Sequence, residues 1–451
     1  MIDMSIYGEM LFSYQGSGQL RFFDNEVYEC SFEAAQFADG TIRMKCQIKV
    51  NWLFPPLESG NIDFRGTTND GKKLSIQGPA IIQNAYSSAG QEGRYSELLF
   101  ITYGDAKMSF GEPTWENKFE LRFGLTNFTF IGDKFTKEDG QLNRNTLQLE
   151  IGDTAIIIRQ LSDYKKRVAL LEARSGISVT SEAILEIQDF DEIDSRKDLI
   201  QTLSDMLSLA RGTSITSSYM KIFNNETCIY VESWNHSKGG YSGARPIIDA
   251  ESFVDTKKFI ESTHNRFVDL SPVYNLVGII QLLMTVRSKG FIEVQGITLG
   301  SLVDYITGKF TITKNEQYII DDEIFTASKK DLRKAIIPII LDTFKENIKK
   351  PQAEKMALKV NGFNYPDNKV KLSGFCKEFH APIQEDEITN FVKNRDNLTH
   401  YVRFTTEDKF KDFFSMLHFV DKLLLSMLQY EGSYMNVTTS PSTKEDFRLT
   451  S

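Results

Sequence analysis

The chain has 451 residues, 41% of them hydrophobic and 25% charged, which is typical of a folded globular protein and excludes a disordered or fibrous chain. Its formal net charge of −9 argues against non-specific coating of nucleic acid, so any such site must be a local basic surface. The amino terminus has no basic segment followed by an apolar one, and no segment stays apolar over the roughly 18 residues that a membrane span needs. We therefore expect a cytoplasmic protein with no membrane contact.

The cysteines lie far apart in the chain, at Cys30, Cys46, Cys228 and Cys376. None of them forms a CxxC pair, so the spacing indicates neither a disulfide framework nor a zinc site. We expect buried free thiols and no bound metal.

The amino-terminal part, from Tyr7 to Leu161, has the pattern of short β-strands, because β-branched and aromatic residues cluster between breaks at Gly, Asn and Asp. One segment, Gly66–Lys73, spells GxxxxGK followed by Lys, and a phosphate-binding loop needs Ser or Thr at that last place. The residues after it indicate a strand, not a helix. We interpret Asn69–Gly71 as a hairpin turn, which disfavours a nucleotide-dependent ATPase.

A helix is predicted near residues 194–211, where apolar residues recur at three- and four-residue steps and Gly212 follows as a stop signal. The polar run at 235–246 is rich in Gly and Ser and predicts a linker. Together these features predict a β-rich domain over residues 1–250, sandwich-like or barrel-like in form.

The pattern changes after residue 250. Several successive segments carry apolar residues at helical spacing, which predicts a helical bundle over residues 251–435. Residues 436–451 lack a core pattern and predict a flexible tail. The expected fold class is therefore α+β.

One histidine, His400, follows an arginine at short distance, in the segment RDNLTH that begins at Arg395. On one helix a five-residue step turns the second side chain by about 140°, so a neighbouring turn or a second subunit must bring these two groups together. Asp396 and Asn397 share a helical face with His400, and Asn397 also shares one with Tyr401. Either Asp396 or Asn397 could hold the imidazole in one orientation and tautomer.

These residue types suit metal-independent cleavage of RNA. The ribose 2′-hydroxyl attacks the adjacent phosphorus, a histidine with a pKa near neutrality moves the proton, and an arginine binds the phosphate oxygens as charge develops. Taken alone, the spacing favours a helix-capping or ion-paired Arg395 and a surface His400 over a catalytic pair, since short strings of this kind arise by chance. The residues around the motif have to decide between the two.

The segment RDNLTH, followed by YV and by a long helix predicted at Thr405–Tyr430, resembles the HEPN superfamily, which is marked by Arg, a polar residue, a few more residues and His ahead of the final long helix. Most of the chain is similar to ApeA-type antiphage proteins of that superfamily. The shared features are the pair Gly8–Glu9, the hairpin IDFRGTTNDGKKLSI, and a helix ending in MLSLARG at Gly212.

The resemblance implies a β-rich sensing or regulatory region followed by an all-α HEPN helical bundle. It implies an endoribonuclease with Arg395 and His400 as catalytic residues, supported by Asp396, Asn397 and Tyr401, that cuts RNA in antiphage defence by abortive infection. Neither cofactor nor metal is implied. A homodimer or larger even assembly is expected, in which two RDNLTH segments face one cleft, and a phage-derived trigger is compatible with this arrangement.

One position departs from the family pattern, and one other function stays open. Gly300 stands where the family frequently has Glu on an early helix, which puts a supporting acid there in doubt. The other function is a non-catalytic dimeric protein that recognises a protein, glycan or RNA ligand. A basic stretch could contact RNA phosphates, although a solvated helix face is the favoured interpretation; it comprises Lys329, Lys330, Arg333 and Lys334, and further on Lys345, Lys349, Lys350 and Lys355.

Overall fold

The structure is a computed structural model, and it describes residues 9–22, 26–50, 59–89, 95–111, 119–138, 141–174, 176–235, 245–288, 290–344 and 347–450. Helices hold 44% and strands 31% of the residues, so both kinds of element carry the fold. A β-rich part precedes a helical part, which confirms the α+β order expected from the sequence.

The strands of the first part form one continuous antiparallel sheet. They are β1 (Met10–Arg21), β2 (Val27–Phe37), β3 (Ile42–Val50), β4 (Gly60–Asn61), β5 (Asp63–Thr68), β6 (Lys73–Gln77), β7 (Pro79–Ala89), β8 (Tyr95–Tyr103), β9 (Lys107–Phe110), β10 (Phe119–Thr126), β11 (Lys134–Glu138), β12 (Gln141–Ile151), β13 (Thr154–Gln160), β14 (Val179–Ile187), β15 (Ser217–Asn224) and β16 (Thr227–Trp234). Their order in the sheet is β11-β12-β13-β14-β10-β15-β16-β9-β6-β5-β1-β2-β3-β8-β7-β4. Five strands lie between β8 and β9 in this order. Tyr103 of β8 and Phe110 of β9 nevertheless belong to one buried cluster, so this half of the sheet curves around a common core.

The segment Gly66–Lys73 lies in a hairpin between β5 and β6. The Thr68 amide donates to the Lys72 carbonyl at 2.8 Å, and Gly71 has a φ of +86°, in the left-handed region that favours glycine. The chain continues as strand β6, so no helix amino terminus follows the glycines. The hairpin interpretation is confirmed.

The helices are α1 (Tyr164–Arg174), α2 (Glu192–Arg211), α3 (Phe253–Tyr274), α4 (Leu276–Arg287), α5 (Ile292–Thr313), α6 (Asp322–Phe344), α7 (Lys350–Ala357), α8 (Asn368–Glu378), α9 (Glu385–Tyr401) and α10 (Lys409–Met427). Helix α2 confirms the helix predicted near residues 194–211 and ends at Gly212 with a φ of +65°. Helix α1 was not predicted; five of its 11 residues are charged, which weakens its apolar pattern. Within the described ranges no single helix is long and apolar enough to cross a membrane. Helices α3 and α4 have the required length and hydropathy only when taken together, and a bend of 93° separates them.

Two main clusters of buried hydrophobic side chains hold the described residues together. The smaller one fills the curved half of the sheet. The larger one extends from Phe119 to Phe447 and joins β10 and β12–β15 to α2–α5 and α8–α10. It includes Ile247 and Ile248, directly before the predicted domain boundary at residue 250. Burial is thus continuous across that boundary, and the division at residue 250 stays a prediction.

Some predicted features lie outside the described residues: Tyr7, Gly8, Lys345, and positions 236–244 of the predicted linker. Beyond the linker, Arg245 is fixed by a 2.6 Å hydrogen bond from its Nη1 to the Val437 carbonyl. The cysteines are free thiols, and three of them are buried as expected. Cys228 is exposed instead, because it lies beside the turn at the start of β16.

The predicted flexible tail at residues 436–451 is wrong. The chain forms a hairpin from β17 (Gly432–Asn436) and β18 (Thr443–Phe447). Phe447 is only 2% exposed, and its ring meets the ring of Tyr434 edge-on at 5.5 Å. The sequence offered too few apolar residues to indicate a core element, and the few that occur fill a gap that only the packed helices create.

Truncating Phe447 tests this hairpin. Phe447→Ala should lower the free energy of unfolding by about 3 kcal/mol, because a buried aromatic side chain is replaced by a cavity. Urea unfolding monitored by circular dichroism measures the change. The exposed Asp446→Ala on the same strand is the matched control and should shift stability by less than about 0.5 kcal/mol. Equal stability of both variants would mean that the hairpin does not pack on the helices.

Candidate active site

Helix α9 carries the whole RDNLTH segment in its carboxy-terminal half. A capping box begins the helix, in which the Gln384 amide donates to Glu387 Oε2 at 2.8 Å. Ile388, Phe391 and Leu398 are buried and hold one face of the helix against the core. The helix ends at Val402, whose φ of +54° is uncommon for a β-branched residue. The motif therefore lies at the end of a well-anchored helix, beside a strained backbone position.

Two carboxylates orient the Arg395 guanidinium. Its Nε donates to Asp304 Oδ2 at 3.1 Å, its Nη2 contacts the same oxygen, and its Nη1 donates to Asp396 Oδ1 at 2.7 Å. Partial burial alone would lower the pKa of Arg395, but the hydrogen bonds to Asp304 and Asp396 outweigh it and raise this pKa. Since a guanidinium has five N–H donors, two remain for a ligand.

Asp304 is a candidate site residue that sequence reasoning missed. It lies on α5, 91 residues before Arg395, and one helical turn after Gly300. A Cβ at Gly300 would lie 2.7 Å from Arg395 Cγ, so the glycine allows the arginine to lie close against α5. The acid that Gly300 put in doubt is supplied one turn later on the same helix face. The signal in the sequence was an acidic residue four positions after Gly300, which lies on the same helix face as the glycine.

His400 lies in the last turn of α9, where its side chain is exposed. Its ring meets the ring of Tyr401 at 6.2 Å between centroids. Among the described residues no group hydrogen-bonds the imidazole. Arg395 and His400 thus belong to one helix and are separated by about 140° around its axis and about 7.5 Å along it. One copy of α9 does not place both groups on one face.

Among the described contacts neither Asp396 nor Asn397 binds the imidazole of His400, so their support of this ring stays a prediction. Asp396 binds the neighbouring guanidinium of Arg395. Asn397 Nδ2 donates to Thr405 Oγ1 at 3.1 Å, and the buried Asn394 accepts from the Thr405 amide at 2.9 Å. Both asparagines tie the loop at 402–408 back to α9, because their side chains face that loop. Tyr401 is exposed and lies beneath the guanidinium of Arg403, at 5.5 Å from the ring centroid.

Exposed apolar side chains occur at the end of α9 and at the starts of α5 and α10. They come from three neighbouring segments and are Phe291, Val294, Tyr401, Val402 and Phe410. The start of α5 is joined to the start of α10 by an ion pair from Lys409 to Glu293, at 3.0 Å. A Cβ at Gly296 of α5 would meet Leu398 of α9 at 2.7 Å, so α5 also lies directly against the motif helix. We call these five exposed side chains the motif-end patch.

Of the basic stretch, the first four residues lie on α6, and Lys350 and Lys355 lie on α7. Lys330 and Lys334 of α6 are exposed, and Lys334 pairs with Asp331 at 3.2 Å. No contact joins these side chains to Arg395 or His400 among the described residues. Among all the residues that the structure describes, no cluster of His, Cys, Asp or Glu has the arrangement of a metal site.

Comparison with known families identifies one region of the chain. Residues 119–240 match the YopA central domain. The YopA-like region spans β10 to β16 with α1 and α2, and it ends before the helices that carry the motif. It covers less than half of the chain. No curated protein and no solved structure matches the chain.

Proposed function

We propose that the protein is a metal-independent endoribonuclease of the HEPN type that acts in antiphage defence by abortive infection. The observation that carries the proposal is the state of the motif at the end of α9. Arg395 is oriented by Asp304 and Asp396 with two donors left, and His400 is exposed on the same helix. Domains like the YopA-like region are linked to ApeA-type defence proteins, which supports the defence role.

In the proposed reaction the ribose 2′-oxygen attacks phosphorus and the bond to the 5′-oxygen breaks. His400 takes the 2′-hydroxyl proton or protonates the departing 5′-oxygen, and Arg395 binds the non-bridging oxygens as their charge increases. The products are a 2′,3′-cyclic phosphate and a 5′-hydroxyl. DNA lacks the internal nucleophile and is not cut.

A homodimer is part of the proposal, because one helix cannot direct Arg395 and His400 to the same phosphate. The motif-end patch supports it, since several large apolar side chains exposed next to a polar motif are typical of an interaction surface. A two-fold axis through this patch would bring two α9 ends together and supply His400 from one subunit and Arg395 from the other. The β-rich region would then act as sensor or regulator.

Cleavage of total cellular RNA by the purified full-length chain in EDTA tests the proposal. We expect fragments with cyclic phosphate or 3′-phosphate ends, because no metal-bound water is used. Cleavage that EDTA abolishes and magnesium restores would contradict the mechanism. Saturable binding of RNA without cleavage, both in vitro and in phage-challenged cells, would favour the non-catalytic binding protein.

Asp304 is expected to act as a positioning residue for Arg395. Asp304→Ala should lower the rate of RNA cleavage by about 10- to 100-fold, because a guanidinium that is misplaced by about 1 Å loses its alignment with the phosphate. Asp304→Asn keeps an acceptor oxygen and should retain more activity than the alanine variant. The fall should appear in kcat rather than in KM. Unchanged cleavage by Asp304→Ala would show that Asp304 does not position Arg395, and increased cleavage would show that it restrains Arg395 instead.

A further inference from the structure

Helices α6 and α7 form an arm that lies apart from the two main buried clusters. This helical arm, residues 322–362, ends in a 3-10 turn at Leu358–Gly362, and the main contacts of α6 are with α7 and that turn. Phe325 is the one buried residue of α6. Within the described part of the chain, no residue between Phe310 and Leu372 belongs to either cluster. The packing of the molecule therefore leaves most of α6 uncovered.

The second half of α6 is apolar on every side. Residues 335–341 have the sequence AIIPIIL and occupy nearly two turns of the helix, so apolar side chains face in all directions. None of the seven is buried, and Ile339 is 62% exposed. A helix that is apolar all round is usually enclosed by a protein core or by lipid. In this chain the described residues provide no such core around it.

Cations lie on both sides of this apolar segment. Two exposed lysines precede it and two follow it, and they are Lys330, Lys334, Lys349 and Lys350. Over the helical arm the sequence has nine Lys or Arg and six Asp or Glu, a net charge of +3, whereas the whole chain has a net charge of −9. The arm is thus a basic element on an otherwise acidic molecule, and its charge fits an anionic partner.

The surface of an anionic membrane matches both features of the arm. A protein groove or a second copy of the chain covers one stripe of a helix, whereas lipid contacts every side that α7 leaves open. RNA offers phosphates to the lysines, but it offers little apolar surface to Ile339. Lysines on both sides of an apolar segment reach lipid phosphates, because their long side chains extend to the headgroups.

We propose that the second half of α6 inserts into the surface of an anionic membrane. Residues 335–341 lie at the boundary between headgroups and acyl chains, and the flanking lysines bind lipid phosphates. This association is peripheral. We expected no membrane contact because the sequence has no spanning segment, but a helix that lies in the membrane surface needs none. The proposal does not depend on the ribonuclease activity.

Co-sedimentation of the full-length chain with lipid vesicles tests the proposal. One preparation contains phosphatidylcholine alone, and the other contains phosphatidylcholine and phosphatidylglycerol in equal parts. We expect saturable binding to the anionic vesicles, about tenfold tighter than to the neutral ones, and weaker binding as the salt concentration rises. Absence of binding to the anionic vesicles at low salt, or equal binding to both preparations, would overturn the proposal.

Two matched aspartate variants locate the contact. Ile339→Asp places a charge in the apolar segment and should weaken vesicle binding by about tenfold or more. Ile324 is equally exposed, at 62%, but it lies at the start of α6 beside Asp322 and Glu323. Because this position is about 22 Å from Ile339 along the helix, Ile324→Asp should change the affinity by less than about twofold. Equal affinities of the two variants, with circular dichroism showing both folded, would refute insertion of this segment.

The lysines and the rival partners have separate readouts. Lys349→Glu/Lys350→Glu should weaken binding to the anionic vesicles by about tenfold, because each cation near such a surface contributes to the affinity. If the wild type binds no vesicles and Ile339→Asp lowers its oligomeric state in sedimentation equilibrium, a second copy covers the segment. If it binds no vesicles and the lysine variant loses affinity for RNA, the lysines bind RNA. Either result would overturn the assignment to lipid.

Discussion

His400→Ala should lower the rate of RNA cleavage by at least about 100-fold, because a general acid–base group contributes roughly 10²- to 10⁴-fold to a reaction of this kind. The change should leave folding intact, since the His400 side chain is exposed and no described residue hydrogen-bonds it. The measurement is degradation of total cellular RNA by the purified variant in EDTA, beside the wild type. Circular dichroism and thermal unfolding show whether both proteins are equally folded.

His264→Ala is the matched control for this experiment. His264 lies on α3 in the same helical region, and its Nδ1 lies 3.3 Å from Asn265 Oδ1. The His264→Ala variant should cleave RNA at the same rate as the wild type. If His400→Ala cleaves as fast as His264→Ala, the proposed role of His400 is wrong. If neither the wild type nor the variants cleave in vitro, the same set should be compared for growth arrest in phage-challenged cells, where equal behaviour of all would favour the binding protein.

The largest effect on stability is expected at the ion pair between Arg287 and Asp421. Arg287 of α4 and Asp421 of α10 have side chains 1% and 0% exposed and contact each other directly. Arg287 Nη1 also donates to the Arg245 carbonyl at 2.6 Å. Removing one partner leaves the other buried without a counter-charge, which typically costs about 3–5 kcal/mol. Urea unfolding at pH 7 measures the loss.

The two single variants should not be equivalent. Burial raises the pKa of Asp421, and Arg287 only partly offsets this rise. In Arg287→Met the carboxyl group can therefore take up a proton and limit the loss, whereas in Asp421→Leu the guanidinium keeps its charge at every ordinary pH. We expect Asp421→Leu to be the less stable variant, and the double variant Arg287→Met/Asp421→Leu to regain most of the stability.

The pH dependence of Arg287→Met gives a second readout. A carboxyl group whose pKa is higher in the folded than in the unfolded state stabilises the fold at low pH and loses that contribution as the pH rises. Relative to the wild type, Arg287→Met should therefore become more stable on acidification from pH 7 towards pH 5. A constant difference across this range would show that Asp421 does not change its protonation state.

Elements with a strong local pattern were predictable from the sequence. The hairpin at Asn69–Gly71 and the end of α2 at Gly212 depend on glycine in the left-handed region, which neighbouring residues specify. The helical location of RDNLTH followed from the spacing of Ile388, Phe391 and Leu398 along α9. The hairpin β17–β18 was missed, because its few apolar residues become a core only against helices that are distant in the chain.

By itself, the sequence determined that a β-rich part precedes helices, and that Arg395 and His400 lie on one helix about 140° apart. Tertiary structure decided their surroundings. The pairing of Asp304 with Arg395 and the binding of Thr405 by Asn394 and Asn397 depend on how the helices and the loop after α9 pack. Residue periodicity specifies which face of an element is buried, but not which residue of a distant element lies opposite it.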